Sequence, residues 1–278
     1  TYEGRASLRA WLYKIATHAC FDAIDRRPHR RILPMAKPAS IDPHQPPAPP
    51  LTEPIWLEPY PDDLIAEPET GPEARYAAHE SVTLAFIAAL QGLPARQRAV
   101  LILCDVLDWR TREVAALLDM TVAAVNSALH RARVTMLSTY HPRGRDTVRA
   151  AGDATLRPLL ERYVHAWESG DIGELIALLK DDATFSMPPI PTWFHGRATI
   201  EAALQPAIFN DNSRGRWRLQ AVRANRQPGY ALYQRSDAGG YDLFGLQILT
   251  IDGDQISDVI TFMDSSSFAR FDVPPHLA

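Results

Sequence analysis

Apolar side chains recur with a helical period near the start of the chain. Leu8, Trp11, Leu12, Ile15 and Ala19 fall on one face, so residues 7–27 are predicted to form a helix. Pro28 then forbids easy continuation. The helical period returns further on. It predicts helices over 73–90, 95–107, 112–118 and 122–140, with breaks at Gly92 and Pro94 and a boundary at Pro142 and Gly144. Beyond residue 153, helical patterns at 155–168 and 171–180 give way to short strand-like runs at 183–187, 217–223, 230–235, 241–251 and 255–264. A further helix is expected near 199–209. Asp252-Gly253 between two apolar runs is a hairpin signal. The last unit is therefore expected to be α+β with a mostly antiparallel sheet.

Between these patterned regions lies a different material. Twelve of the 23 prolines fall between Pro34 and Pro72, which excludes a helix or a central strand and marks a linker. Charge is segregated along the chain, although the net value is only −4 over 278 residues. Residues 1–31 carry seven Lys/Arg against three acids, 41–80 carry nine acids against one Arg, and 120–150 carry five Arg against one Asp. The basic ends suit nucleic acid and the acidic middle does not. One apolar island interrupts the linker: Ile55-Trp56-Leu57-Glu58-Pro59-Tyr60-Pro61. Trp56, Leu57, Pro59 and Tyr60 read either as a docking segment or as cover for a domain surface.

Two cysteines, Cys20 and Cys104, have neither metal spacing nor a disulfide framework, which fits a reducing cytosol, and a cytoplasmic protein without cofactors is expected. No run of about 18 apolar residues is present to span a membrane. The chain opens at Thr1 inside a structured-looking segment, and a preceding N-terminal portion is expected.

The sharpest chemical signal is 111–136. Thr111 is a candidate N-cap, with Glu113 in the first turn where the helix dipole favours an acid. Val114, Ala115, Leu117 and Leu118 form an inner face. Thr121 offers a second cap, and the next helix buries Val125, Leu129, Ala132 and Met136. Two helices joined by a tight turn can insert the second into a major groove. Its outer face carries Ala123, Ala124, Asn126, Ser127, His130 and Arg131. Small residues permit close approach, Asn126 can pair with adenine, and Arg131 with guanine or phosphate. Arg133, Arg143 and Arg145 continue the positive track toward phosphates. The bland alternative is a helical hairpin with a solvated polar face.

These residues resemble a family. Gly92-Leu93-Pro94-Ala95-Arg96-Gln97-Arg98, Thr111-Arg112-Glu113-Val114-Ala115 and Val125-Asn126-Ser127-Ala128-Leu129-His130-Arg131-Ala132-Arg133 resemble the fourth conserved region of extracytoplasmic-function (ECF) sigma factors, which reads the −35 promoter element. Residues 7–17, ending in Asp25-Arg26-Arg27, resemble the end of the second region, which helps open and read the −10 element. His18 stands where the family often has Asn. The resemblance implies −35 contacts from Thr121, Ala124, Asn126, Ser127, His130, Arg131 and Arg133, and −10 contacts from Tyr2, Arg5, Trp11, Lys14, His18, Arg26 and Arg27. It implies as partners the RNA polymerase core, through its beta and beta-prime subunits, and promoter DNA. The family's main polymerase-clamp helix would lie upstream of Thr1.

The linker island resembles a motif of those ECF sigma factors that carry a C-terminal SnoaL-like extension, and the last 120 or so residues are similar to that extension. The implied architecture is multidomain. A truncated sigma region 2 (1–31) and an acidic linker (32–72) precede an all-α region 4 with its helix-turn-helix (73–145); an α+β NTF2-like cone follows (153–278). Such a cone encloses a pocket, so an unidentified small ligand is a candidate partner. Trp167, Met187, Trp193, Phe194, Trp217, Tyr233, Phe244 and Phe262 are candidates to line it or simply to form its core. An enzyme would need a tuned carboxylate. Asp182, Asp242 and Asp264 sit at strand ends or edges, His165 and His195 are isolated, and the chain is not expected to be catalytic. Two readings remain beside the sigma factor: a ligand-sensing helix-turn-helix repressor, and a small-molecule enzyme with a DNA-binding appendage.

Overall fold

The computed structural model describes residues 8–26, 42–46, 48–51, 56–65, 84–139, 153–210, 213–264 and 268–278. They belong to two compact units: Thr1–Arg31 with Thr70–His141, and Ile32–Glu69 with Pro142–Ala278.

The first unit is helical. It contains α1 (Leu8–Arg26), α2 (Leu84–Gly92), α3 (Ala95–Leu101, running into a π-turn at Ile102–Val106), α4 (Thr111–Leu117) and α5 (Val122–Thr139). Its core is Leu93, Val100, Leu101 and Leu103 packed with Val114, Leu117, Val125, Leu129, Ala132 and Met136. The predicted inner stripe of α4 and α5 is thus the buried one. Arg98 secures the α2–α3 turn by donating to the carbonyls of Gln91 (2.9 Å) and Leu93 (3.1 Å). The expected start of α2 at residue 73 lies outside the described residues.

The first predicted helix forms, and most of its apolar stripe is exposed. Leu8, Leu12 and Ile15 are 56%, 52% and 49% exposed. The side of α1 that packs is offset from them and led by Tyr13, whose ring meets Trp109 edge-on at 5.0 Å. Periodicity marks an apolar face; it does not say whether a partner lies within reach.

The second unit is α+β. Helices α6 (Asp153–Ser169) and α7 (Ile172–Leu178) precede β1 (Leu179–Ser186) and β2 (Trp193–His195). Then come α8 (Arg197–Ala207), β3 (Trp217–Ala224), β4 (Gln227–Arg235), β5 (Tyr241–Asp252), β6 (Gln255–Phe262) and β7 (His276–Leu277). The sheet order is β2-β1-β6-β5-β4-β3, with β7 paired to β5. All pairings are antiparallel except β1 with β6. Gly253, at φ 73°, makes the expected β5–β6 turn. The short strands β2 and β7 escaped the sequence pattern because three and two residues are too few to show alternation.

One sheet face and the helices enclose an aromatic core. Trp167 meets Trp217 edge-on at 5.7 Å, Trp217 meets Phe244 at 5.2 Å, and Tyr163 stacks on Tyr230 at 5.6 Å. Burial raises the Tyr163 hydroxyl well above its ordinary range and pushes Tyr230 up to about 12. Both donate hydrogen bonds, to Gln247 Oε1 (3.0 Å) and to the Leu160 carbonyl (3.3 Å). Of the residues offered as pocket lining, Trp167, Phe194 and Trp217 are core, with Met187 and Phe244 packed on it. Tyr233 and Phe262 are buried outside that cluster, and Trp193 is half-buried on β2.

Candidate nucleic-acid interface

Two short helices meet at a sharp turn. Helix α4 opens one residue earlier than expected: its N-cap is Arg110, whose backbone N–H donates to Glu113 Oε2 at 3.0 Å. Thr111 is therefore the first helical residue and not the cap. Asp119 then takes φ +51°, a conformation that short polar side chains tolerate best, and reverses the chain. Thr121 caps α5 as predicted, its hydroxyl accepting from the Ala124 N–H at 3.1 Å.

The capped helix buries Val125, Ala128, Leu129 and Ala132, and presents Thr121, Asn126, Ser127, His130 and Arg131 to solvent, with Ala124 half-buried among them. Asn126, Ser127, His130 and Arg131 lie along one side of α5 because their spacing follows the helical turn, and Thr121 stands at its start as the cap. Arg133 is exposed too, but its guanidinium is engaged. It donates to both carboxylate oxygens of Asp105, at 2.7 and 3.0 Å. The π-turn carries Asp105, and such turns redirect side chains. Asp105 was invisible as a partner because it lies 28 residues from Arg133. Arg143 and Arg145 lie outside the described residues.

Of the residues assigned to the −10 element, Trp11, Lys14 and His18 sit on α1, the Arg26 backbone closes that helix, and Tyr2, Arg5 and Arg27 lie outside the described residues. Lys14 Nζ pairs with Asp119 Oδ1 at 2.9 Å, and this pairing holds the Asp119 carboxyl below its ordinary range. His18 Nδ1 lies 2.7 Å from the Lys14 carbonyl, so that nitrogen carries the proton.

A profile of Sigma-70, region 4 matches residues 83–136, and one of the SnoaL-like domain matches residues 160–259. The ECF RNA polymerase sigma factor SigG of Mycobacterium tuberculosis is 39% identical over 282 residues, an alignment spanning 99% of this chain and 73% of SigG. The chain belongs to the ECF sigma factors. ECF RNA polymerase sigma factor SigE of Mycolicibacterium smegmatis is 28% identical over 134 residues, spanning 48% of this sigma factor and 40% of SigE. The crystal structure of the Mycobacterium tuberculosis extracytoplasmic function sigma factor SigJ shares the fold, with a TM-score of 0.52 at 20% identity over 79% of this chain and 76% of that one. Helical sigma modules followed by a SnoaL-like α+β domain are thus the architecture, and the repressor reading is not favoured.

In this sigma factor the linker is not a bare tether. Leu51 N–H donates to the Pro189 carbonyl (3.0 Å) and Ala48 N–H to Thr192 Oγ1 (3.1 Å), both in the β1–β2 connection. At the other edge of the sheet, Tyr60 and Asn225 exchange two bonds: Tyr60 N–H to Asn225 Oδ1 (2.8 Å) and Asn225 N–H to the Tyr60 carbonyl (2.9 Å). Pro61 bridges Ala224, and Asp62 accepts from the Arg226 N–H at 2.6 Å. Residues 48–51 thus hold to one edge of the sheet and residues 60–62 to the other.

Leu57, 6% exposed, is buried along the strap, as are Pro59 and Pro61. Arg270 of the C-terminal tail pairs with Glu58 at 3.1 Å. The sheet face away from the aromatic core is apolar and buried at Ala231, Leu246, Ile248, Ile260 and Phe262. Trp56 is half-buried and satisfies its indole N–H on the Leu51 carbonyl (2.9 Å), while Tyr60 remains largely exposed and contributes its backbone. Asn225-Arg226, both at positive φ between two β-runs, was the available hairpin signal.

The three carboxylates weighed for catalysis lie apart. Asp182 and Asp264 are exposed, and Asp242 pairs with His276 at 2.8 Å, which lowers its pKa. His165 pairs with Glu174 at 2.7 Å. Among the described residues no three His, Cys, Asp or Glu are grouped to hold a metal, and no helix is long and apolar enough to cross a membrane.

Proposed function

We propose that this sigma factor directs the RNA polymerase core to promoters, with the beta and beta-prime subunits and promoter DNA as its partners. Helix α5 enters the major groove at the −35 element. Asn126, His130 and Arg131 meet base edges and phosphates, Ser127 and the small Ala124 allow close approach, and Thr121 aims the helix N-terminus at the backbone. Arg133 joins the phosphates only when it leaves Asp105. Helix α1 serves the −10 element through Trp11, Lys14, His18 and Arg26, with Tyr2, Arg5 and Arg27 from the flanking sequence. The observation that carries this reading is a Thr-capped helix with its apolar side fully packed and its polar, Arg-bearing side in solvent.

The C-terminal domain regulates this activity through the strap. Holding residues 48–51 and 60–62 against its sheet fixes the middle of the tether between the −10 and −35 modules. The domain acts without catalysis in this reading, and a small ligand in its interior would act by changing the hold. Promoter-specific transcription by the intact protein with core polymerase, with and without residues 153–278, tests both parts. Polymerase-dependent transcripts with defined starts support the sigma role. Transcripts unaltered by the deletion and by Trp56→Ala would remove the regulatory role. Tight binding to duplex DNA without polymerase, and no transcripts, would overturn the whole reading.

A further inference from the structure

We infer that the β3–β4 edge of the SnoaL-like domain is a further nucleic-acid surface, one that takes the phosphate backbone of duplex DNA without reading its sequence. The chain carries a net charge of −4, yet residues 213–235 hold six arginines and no Asp or Glu. The fold gathers them at one border of the sheet, because β3 is the last strand in the sheet order and β4 lies beside it. At the far end of β3, Arg223 and Arg226 flank the turn into β4, and an anion already sits there. Asp62 accepts from Arg223 Nε at 3.3 Å and from the Arg226 N–H at 2.6 Å.

The other end of β3 is the open part of the surface. Arg214, Arg216 and Arg218 stand there, and Arg235 lies opposite Arg216, its N–H donating to the Arg216 carbonyl at 2.8 Å. Arg216 and Arg218 are two strand positions, about 6.7 Å, apart, and Arg235 is one strand spacing, about 4.8 Å, from Arg216. Like charges facing each other across two strands cost stability, and an anion between them removes that cost. Local groups absorb part of the charge. Arg216 lies over the Trp217 ring at 5.3 Å, and Arg218 lies over the Tyr241 ring at 5.5 Å and meets one oxygen of Glu168 at 3.3 Å. Arg214 and Arg235 are exposed and meet no carboxylate among the described residues, and nearby Asp242 is taken by His276. Planar guanidiniums with open donors suit phosphate oxygens, and a backbone of regularly spaced phosphates meets several at once. Such contacts strengthen binding without choosing a sequence. Duplex DNA is the polyanion for which this chain already carries a helix-turn-helix. The surface stands apart from the promoter reading, since any duplex offers the same backbone.

Fluorescence anisotropy of the intact chain on a duplex without promoter sequence, across a salt series and without polymerase, tests this. Arg214→Gln/Arg235→Gln removes two phosphate contacts, so the slope of log affinity against log salt should become shallower by about 1.8. The wild-type advantage should shrink about twelvefold between about 0.05 and 0.2 M salt. Arg157→Gln, at an exposed arginine of α6 outside this edge, should leave the slope as it is. Removing two like charges should leave thermal unfolding of the double variant unchanged or higher, which shows that the domain stays folded. In the complex with core polymerase and promoter DNA, p-benzoylphenylalanine in place of exposed Gln220, two positions along β3 from Arg218, should crosslink to DNA. Parallel salt plots for wild type and double variant overturn the proposal. So does an Arg157→Gln slope lowered by half as much as that of the double variant, because net charge alone would then be acting. Crosslinks that fall on the acidic linker or on a polymerase subunit, and not on DNA, overturn it too. Absence of polymerase-dependent transcripts, with the slope difference present, removes the promoter reading and leaves this surface standing.

Discussion

The Asp105–Arg133 pair makes a quantitative prediction. Arg133 lies on the helix assigned to DNA, but its Nε and one Nη donate to Asp105, and its side chain is 57% exposed against 31% for the carboxylate. The carboxylate stabilises the cation and raises its pKa further, so Arg133 is charged at every working pH. Replacing Asp105→Asn keeps the shape and frees one guanidinium. One added phosphate contact steepens the dependence of log affinity on log salt by about 0.9. The ratio of variant to wild-type affinity should therefore grow roughly threefold as salt falls from about 0.3 to 0.1 M. The loss to stability should be small, about 0.5 kcal/mol, because the pair is exposed and screened. Fluorescence anisotropy on a labelled promoter duplex, with the protein bound to core polymerase, measures it across a salt series. Contacts made by the core are common to both proteins and cancel in the ratio. In the Asp105→Asn background, adding Arg133→Ala should restore the original slope. Parallel salt plots for wild type and Asp105→Asn would refute the reasoning. So would a slope that Arg133→Ala alone reduces, because Arg133 would then already reach phosphate with Asp105 in place.

Other outcomes follow from single residues. Asn225 sits at φ 55° and gives its side-chain oxygen to Tyr60, so Asn225→Gly should release the strap to limited proteolysis while the domain stays folded, and Asn225→Ala should cost about 1 kcal/mol more in thermal unfolding. A Cβ at Gly229 would lie 2.4 Å from the Gln247 carbonyl oxygen, so Gly229→Ala should lower the domain's stability by about 1–3 kcal/mol or prevent its folding. Tyr163 and Tyr230 have raised folded pKa values, so their contribution is complete below about 10, the unfolded value, and is lost as pH rises beyond it. Titration by ultraviolet absorbance with parallel stability measurements should show that loss, and Tyr230→Phe should flatten the part between about 10 and 12. Thr121→Ala removes the cap of the recognition helix and should cost about 1 kcal/mol and weaken −35 binding; unchanged melting would place the cap's value elsewhere.

The helix-turn-helix is legible in the amino-acid sequence because its determinants are local. The stripe Val125, Leu129, Ala132 and Met136 repeats with the helix, and Thr121 caps it through a bond spanning three residues. The strands of the SnoaL-like unit are legible for the same reason wherever they are long enough to alternate. What the sequence leaves open depends on partners far along the chain. Leu8, Leu12 and Ile15 have the period of a buried face, yet only the packing around Tyr13 decides which side of α1 is covered. Arg133 and Lys14 look like free cations, but each meets a carboxylate, 28 and 105 residues away. The proline-rich linker gives no periodic signal, because its hold on the sheet uses backbone groups and single side chains, Asp62 and Asn225 among them, that meet partners more than 130 residues away. Local geometry is written in spacing. Which charges are already spent, and which segment lies on which sheet, is settled only when distant residues are brought within a few ångströms.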